Sequence, residues 1–228
     1  MKRGFTLAEV LITLGIIGVV AALTMPSLIQ NHQKKQTAVK LKQTYSLMIQ
    51  GIRLAENELG EIENWEVSES KTFSDTYIKP YFKVIQEYEP SEMPPDYHIY
   101  CHNGDICEGY GAFLLAKKLV LANGVLIAPH PYSYNISGQT YTSFTIIVDV
   151  NGLNGPNRYG RDIFMFNIDI QYGLIPYGLG NIAGQIDKKD VSRNTLMSGE
   201  SRACKILGIY CAAVIMLDGW EIKDDYPW

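Results

Sequence analysis

The sequence predicts an α+β protein in which one long N-terminal helix lies on a small antiparallel β-sheet. Three observations carry this reading. An apolar run from Phe5 to Met25, FTLAEVLITLGIIGVVAALTM, is continued by a segment whose apolar residues recur at helical spacing as far as Leu59. Asn123-Gly124 then sits between two apolar runs, the strongest short hairpin signal. Further apolar runs of strand length follow at Phe144–Val150 and Ile163–Ile170, and nothing helical of comparable length alternates with them.

Composition sets the outer limits. The chain has 228 residues, 46% of them hydrophobic and 19% charged, which is enough apolar material for a sizeable core and excludes disorder as a whole. With 20 Lys+Arg against 24 Asp+Glu the formal charge is −4, so binding of nucleic acid through bulk charge is not expected. A mean hydropathy of −0.04 is too low for several membrane spans but leaves room for one. The 15 Tyr point to a β-rich, half-exposed surface.

That one span is the first element. As a helix, Phe5 to Met25 is roughly 30 Å long, enough to cross the hydrocarbon of a bilayer. A cleaved secretory signal would need a polar, small-residue cleavage region; Ala21 and Ala22 lack it, and Pro26 follows too soon. The only charge inside the run is Glu9. A carboxylate there either reaches back to the headgroups or pairs with a cation, because an isolated charge in lipid is costly.

The residues around it, Lys2, Arg3, Gly4, Phe5, Thr6, Leu7, Ala8 and Glu9, form a pattern that resembles the leader and cleavage site of type IV prepilins and of the pseudopilins of type II secretion. The resemblance implies cutting by a prepilin peptidase after Gly4 and N-methylation of the new first residue, Phe5. It further implies that Glu9 meets the Phe5 amine of a neighbouring subunit during assembly. Charge pairing supports that role independently, since two charges that are each costly in hydrocarbon become tolerable together. Pro26 falls where pilin helices commonly carry a proline, and Gly15 and Gly18 are weak points in the helix. Lys34, Lys35, Lys40 and Lys42 outnumber Lys2 and Arg3, so counting positive charges does not orient the span. The cleavage pattern and the cysteines place the head outside the cytoplasm.

Beyond Pro26, Ala38, Leu41, Tyr45, Met48, Ile52, Ala55 and Leu59 step by three and four residues, an apolar stripe down one helix face. A coiled coil shares this pattern, but Gly60 and the long region after it favour a helix lying on a sheet, the layout that pilins and pseudopilins share. The expected organisation is a leader at 1–4, a transmembrane and assembly helix at 5–26, its amphipathic continuation at 27–60 and an extracytoplasmic head at 61–228. Within the head, Glu61 to Pro95 is acidic and mixed, with a short helix expected near Asp75 to Phe82 and a break at Pro94-Pro95. From Phe113 the sheet is expected to begin, with the Asn123-Gly124 hairpin. In the strand at Ile163–Ile170, Phe164, Phe166, Ile168 and Ile170 alternate with Met165, Asn167 and Asp169. Ala212 to Leu217 is the last apolar run.

Four cysteines, Cys101, Cys107, Cys204 and Cys211, in an exported chain read as two disulfides. Three connectivities are open, and the local pairs Cys101 with Cys107 and Cys204 with Cys211 are favoured; the second pair resembles the bridge that bounds a C-terminal loop in many type IV pilins. Zinc on His98, Cys101, His102 and Cys107 is the rival, weakened because metal ligands seldom sit adjacent in sequence. Asp149, Asn151, Asn154 and Asp162 are candidate calcium ligands in an oxygen- and glycine-rich loop that is not an EF-hand. An Asx-shaped turn closed by side-chain to backbone bonds is the simpler reading of that loop. No other cofactor is expected. His130 is an isolated loop histidine, and no nucleophile elbow, metalloprotease helix or phosphate-binding loop occurs, so no enzyme is expected.

The expected function is therefore that of a structural subunit of a type IV pilus-like filament or a pseudopilus. Its partners would be other such subunits, the prepilin peptidase and an inner-membrane assembly platform, with membrane lipid around the helix before assembly. The alternative is a single-span anchored binding protein or enzyme whose head works alone.

Overall fold

The computed structural model describes residues 6–65, 69–93, 95–107, 111–136, 139–169, 172–180 and 191–228. It comprises two compact units, Met1–Gln36 and Thr37–Trp228. Helix α1, Leu7–Leu59, contributes to both, so the second half of the helix is part of the head's own unit. At its end Gly60 takes φ +91°, and its N–H closes the last turn onto the Glu56 carbonyl at 2.9 Å, an ending that glycine tolerates best.

The stripe on α1 is buried as its spacing predicts: Leu41, Met48, Ile52 and Ala55 belong to the core, while Leu59 at the end of the helix stays exposed. Two small residues on the same face, Thr44 and Gly51, are buried with them. A Cβ at Gly51 would run into the ring of Phe82, so the absence of a side chain lets that ring approach the helix. The face packs on the sheet. Tyr45 lies 5.8 Å from the Phe166 ring and 4.9 Å from Trp220, and its hydroxyl donates to the Leu174 carbonyl at 3.0 Å.

The sheet is a six-stranded antiparallel meander in sequence order: β1 Val84–Tyr88, β2 Lys118–Leu121, β3 Leu126–Ile136, β4 Gln139–Asp149, β5 Ile163–Asp169 and β6 Gly173–Pro176. The α+β architecture is thus pilin-like: a long N-terminal helix on an antiparallel sheet. Asn123-Gly124 makes the β2–β3 turn, with Gly124 at φ +82° and the Asn123 side chain accepting from Val125 N–H at 3.2 Å. The sheet begins earlier than expected, because β1 forms an edge within the acidic stretch. Its weak signal has a physical cause: Ile85, Gln86 and Glu87 are exposed, and a bulge interrupts its register between Val84 and Gln86.

Other expectations need correction. Phe113 opens no strand, since Gly111–Leu115 forms the short helix α3. The helix expected near Asp75 starts sooner, as α2 Ser70–Phe73, and changes pitch through a π-helical turn at Ser74–Ile78 and a 3₁₀ turn at Lys79–Tyr81. Strand β5 is buried along its whole length, so its alternation does not separate a wet face from a dry one. Asn167 is accommodated on its second face by a hydrogen bond from Thr145, 3.0 Å. The last apolar run is helix α5, Cys211–Leu217; α4, Arg193–Ser198, precedes it, capped by the Ser192 side chain.

Lys117 and Lys118 show how the sheet edge handles buried cations. Lys117 meets Asp75 at 2.6 Å, Glu87 at 3.0 Å and Glu89 at 3.4 Å. Lys118 instead donates to the carbonyls of Glu92 and Leu114, and burial pushes its ammonium down to about 8.

Candidate assembly segment and head loops

Gly4 and Phe5, the expected processing residues, lie outside the described residues. From Thr6 onward the geometry is explicit. The Glu9 carboxylate accepts from Thr6 N–H at 2.8 Å and from Thr6 Oγ1 at 2.7 Å, and Glu9 N–H points back to Thr6 Oγ1 at 3.3 Å. This is a capping box, Thr-x-x-Glu ahead of an apolar run, and it satisfies the helix's first donors reciprocally. Charge pairing alone does not disclose this cap; the three-residue spacing of Thr6 and Glu9 ahead of an apolar run is its signal in the sequence. Within α1 the hydroxyls of Thr13 and Thr24 donate to carbonyls in the preceding turn at 2.9 Å, so no side-chain hydroxyl on the run from Leu7 to Met25 needs a water partner. The helix is long and apolar enough to cross a membrane. Leu7 and Leu23 are 78% and 76% exposed, and none of the described residues covers this apolar surface.

In the head, Cys101 is bonded to Cys107 and Cys204 to Cys211, with Cα separations of 5.1 and 4.6 Å. The first bridge consumes both thiols of the zinc rival, and His98 and His102 are left beside a disulfide. Among the described residues no three His, Cys, Asp or Glu side chains are grouped to hold a metal ion.

The loop between β4 and β5 is tied by its own acids. Asp149 Oδ2 accepts from the Tyr97 hydroxyl at 2.6 Å, and Oδ1 accepts from Asn151 N–H at 3.0 Å. Asp162 accepts from the amides of Asn157 at 2.8 Å and Arg158 at 2.6 Å. Asn151 donates to the Gly155 carbonyl and Asn154 to the Asn151 carbonyl, both at 3.1 Å. The four calcium candidates therefore sit in one loop, and each has a protein partner there. Burial, reinforced by the charge of Asp162, holds the Asp149 carboxyl well above its ordinary value, and burial also raises Asp162.

These shifts set a pH dependence. A carboxyl whose pKa is raised on folding binds its proton more tightly in the native state, so stability increases as pH falls from neutrality through the raised values toward about 4. Below that range the trend reverses. Glu87, held low by its hydrogen bonds to Lys79 and Lys117, and Glu89, held low by Lys71, then lose their pairing. Thermal melts of the full chain in detergent should show this optimum on the acid side. Asp149→Asn, which can still bond Tyr97 and Asn151, should flatten the gain above pH 4; an unchanged profile would refute the assignment.

Comparison with known families divides the chain at the same place as its chemistry. The "Prokaryotic N-terminal methylation motif", the signal of type IV pilins and pseudopilins, matches residues 1–25. No curated protein and no solved structure matches the chain. A family described as "Family of unknown function (DUF6613)" matches residues 27–228, from Ser27 through the whole head, and the chain belongs to that family.

Proposed function

We propose that this chain is a structural subunit of a type IV pilus-like filament or of a type II secretion pseudopilus. It is made as a precursor, cut after Gly4 by a prepilin peptidase and polymerised through its N-terminal helix. The observation that carries the reading is the methylation motif at residues 1–25, most of which lies in a helix whose apolar surface no described residue covers. Before assembly that surface is solvated by membrane lipid, and the Glu9 carboxylate is held by Thr6. During assembly, on an inner-membrane platform, lipid is exchanged for the helices of other subunits, and the Glu9 carboxylate receives the incoming Phe5 amine. The filament then stands outside the cytoplasm, in the periplasm or on the cell surface.

Intact-mass measurement on protein from the native host tests the first step. The mature chain should begin at a methylated Phe5, and loss of Lys2 and Arg3 takes the formal side-chain charge from −4 to −6. Retention of Met1, or a new N-terminus near Ala22, would refute the reading and leave a single-span anchored head.

A further inference from the structure

Two patches of opposite charge on the head have no counterions among the described residues. The first is cationic. Arg158 and Arg161 stand on one turn ahead of β5, joined by a backbone bond from Arg161 N–H to the Arg158 carbonyl at 3.0 Å. The Arg161 guanidinium lies over the Trp228 ring at 5.2 Å, and that of Arg158 lies beside Gly104 in the loop closed by Cys101 and Cys107. Both residues are half-buried, and among the described residues neither forms an ion pair. Arg158 Nε is shielded from water and meets no acceptor. The adjacent carboxylate, Asp162, is already taken by backbone amides. Their uncompensated field reaches His102, whose pKa is lowered by burial and then by Arg158 and Arg161.

The second patch is acidic. Glu56, Glu58, Glu61, Glu63, Glu66 and Glu69 follow one another with no Lys or Arg between Arg53 and Lys71. Glu56 and Glu58 occupy the end of α1, whose last turn contains no basic residue, and Glu61 and Glu63 come directly after it. The carbonyl end of a helix favours cations, so this placement works against the helix that bears it. Glu58 accepts from the Tyr81 hydroxyl at 3.1 Å, but no cation reaches the band among the described residues. Glu58, Glu61, Glu63 and Glu69 are exposed.

A chain carrying both patches is complementary to a second copy of itself. The two patches differ, so the contact is heterologous: each copy offers its arginines to one neighbour and its acids to another, a geometry that extends into an open filament. It also offsets the repulsion between copies of net negative charge and fixes their register. We propose that Arg158 and Arg161 of one subunit dock on the acidic band around Glu61 and Glu63 of the next. This inference rests on the polymerisation reading and adds to it a contact between heads.

The test uses the full chain in its native host, with sheared-filament yield measured beside membrane-fraction content. Arg158→Glu/Arg161→Glu should lower filament yield by about tenfold or more at unchanged membrane content, and so should Glu61→Lys/Glu63→Lys. Combining the four substitutions should restore filaments, which a misfolded head would not allow. Parent-like assembly of both reversed variants would overturn the contact while leaving polymerisation intact, and failure of the combined variant to recover would overturn the pairing. Absence of the parent chain from any filament would remove both this contact and the function it rests on.

Discussion

Glu9→Ala should leave the chain expressed, inserted and folded while removing it from filaments. In a lone membrane helix this carboxylate is at best tolerated, so its loss makes insertion no harder. In an assembling subunit it neutralises the amine of an incoming Phe5, and its loss leaves that amine unpaired among apolar helices. Breaking one side of a buried pair is costly enough to lower assembly by roughly a hundredfold or more. The capping box adds a second role that must be separated from the first, because Glu9 also holds Thr6 N–H. Glutamine serves at this capping position as well as glutamate but carries no charge, so Glu9→Gln keeps the cap and loses the pairing. Both variants are expected to fail in sheared-filament recovery while a membrane-fraction blot stays at the parent level. Assembly of Glu9→Gln alone would assign the effect to the cap, and assembly of Glu9→Ala would refute the pairing mechanism.

The largest effect on folding is expected at Phe73. Its ring is fully buried and stacks on Phe144 at 5.0 Å, with Tyr77 at 5.8 Å and Trp65 at 6.1 Å. Trp65 in turn stacks on Tyr77 at 4.6 Å and donates through Nε1 to the Gly60 carbonyl. This cluster ties three things together: the end of α1, the helical segment from Ser70 to Tyr81, and strand β4. Phe73→Ala removes the central ring and leaves a cavity among residues fixed by their own contacts, at a cost of about 3 to 5 kcal/mol. For a domain of this size the melting temperature should fall by about 10 °C, measured on the full chain in detergent. Phe73→Leu should lose much less. A fall of under about 2 °C for the alanine variant would show that the cluster does not hold the segment in place.

Where local chemistry alone sets the conformation, the sequence was a sufficient guide. The apolar run, the stripe from Leu41 to Ala55, the stop at Gly60 and the Asn123-Gly124 turn depend on residue type and spacing, and these are visible without neighbours. The leader pattern is equally local, because its match depends only on residue types at fixed spacing within residues 1–25. Strands β4 and β5 were legible as apolar runs. Strand β1 was not, since an edge strand needs only one apolar face and its polar residues resemble loop.

Residue type and spacing alone thus specify the α+β class, the membrane-length helix, the buried face of its second half and the pattern at Gly4, Phe5 and Glu9. Which side chains meet follows from the folded chain. It covered both faces of β5, gathered Trp65, Phe73, Tyr77 and Phe144 from three elements, and closed the Asp149 loop on Tyr97, a residue 52 positions earlier. It also set Arg161 over Trp228 and Arg158 beside Gly104, with no acid among the described residues near enough to pair with either. The physical reason is one of range: propensity, capping and turn chemistry act over a few residues, whereas burial and charge pairing depend on contacts between segments that only the folded chain brings together.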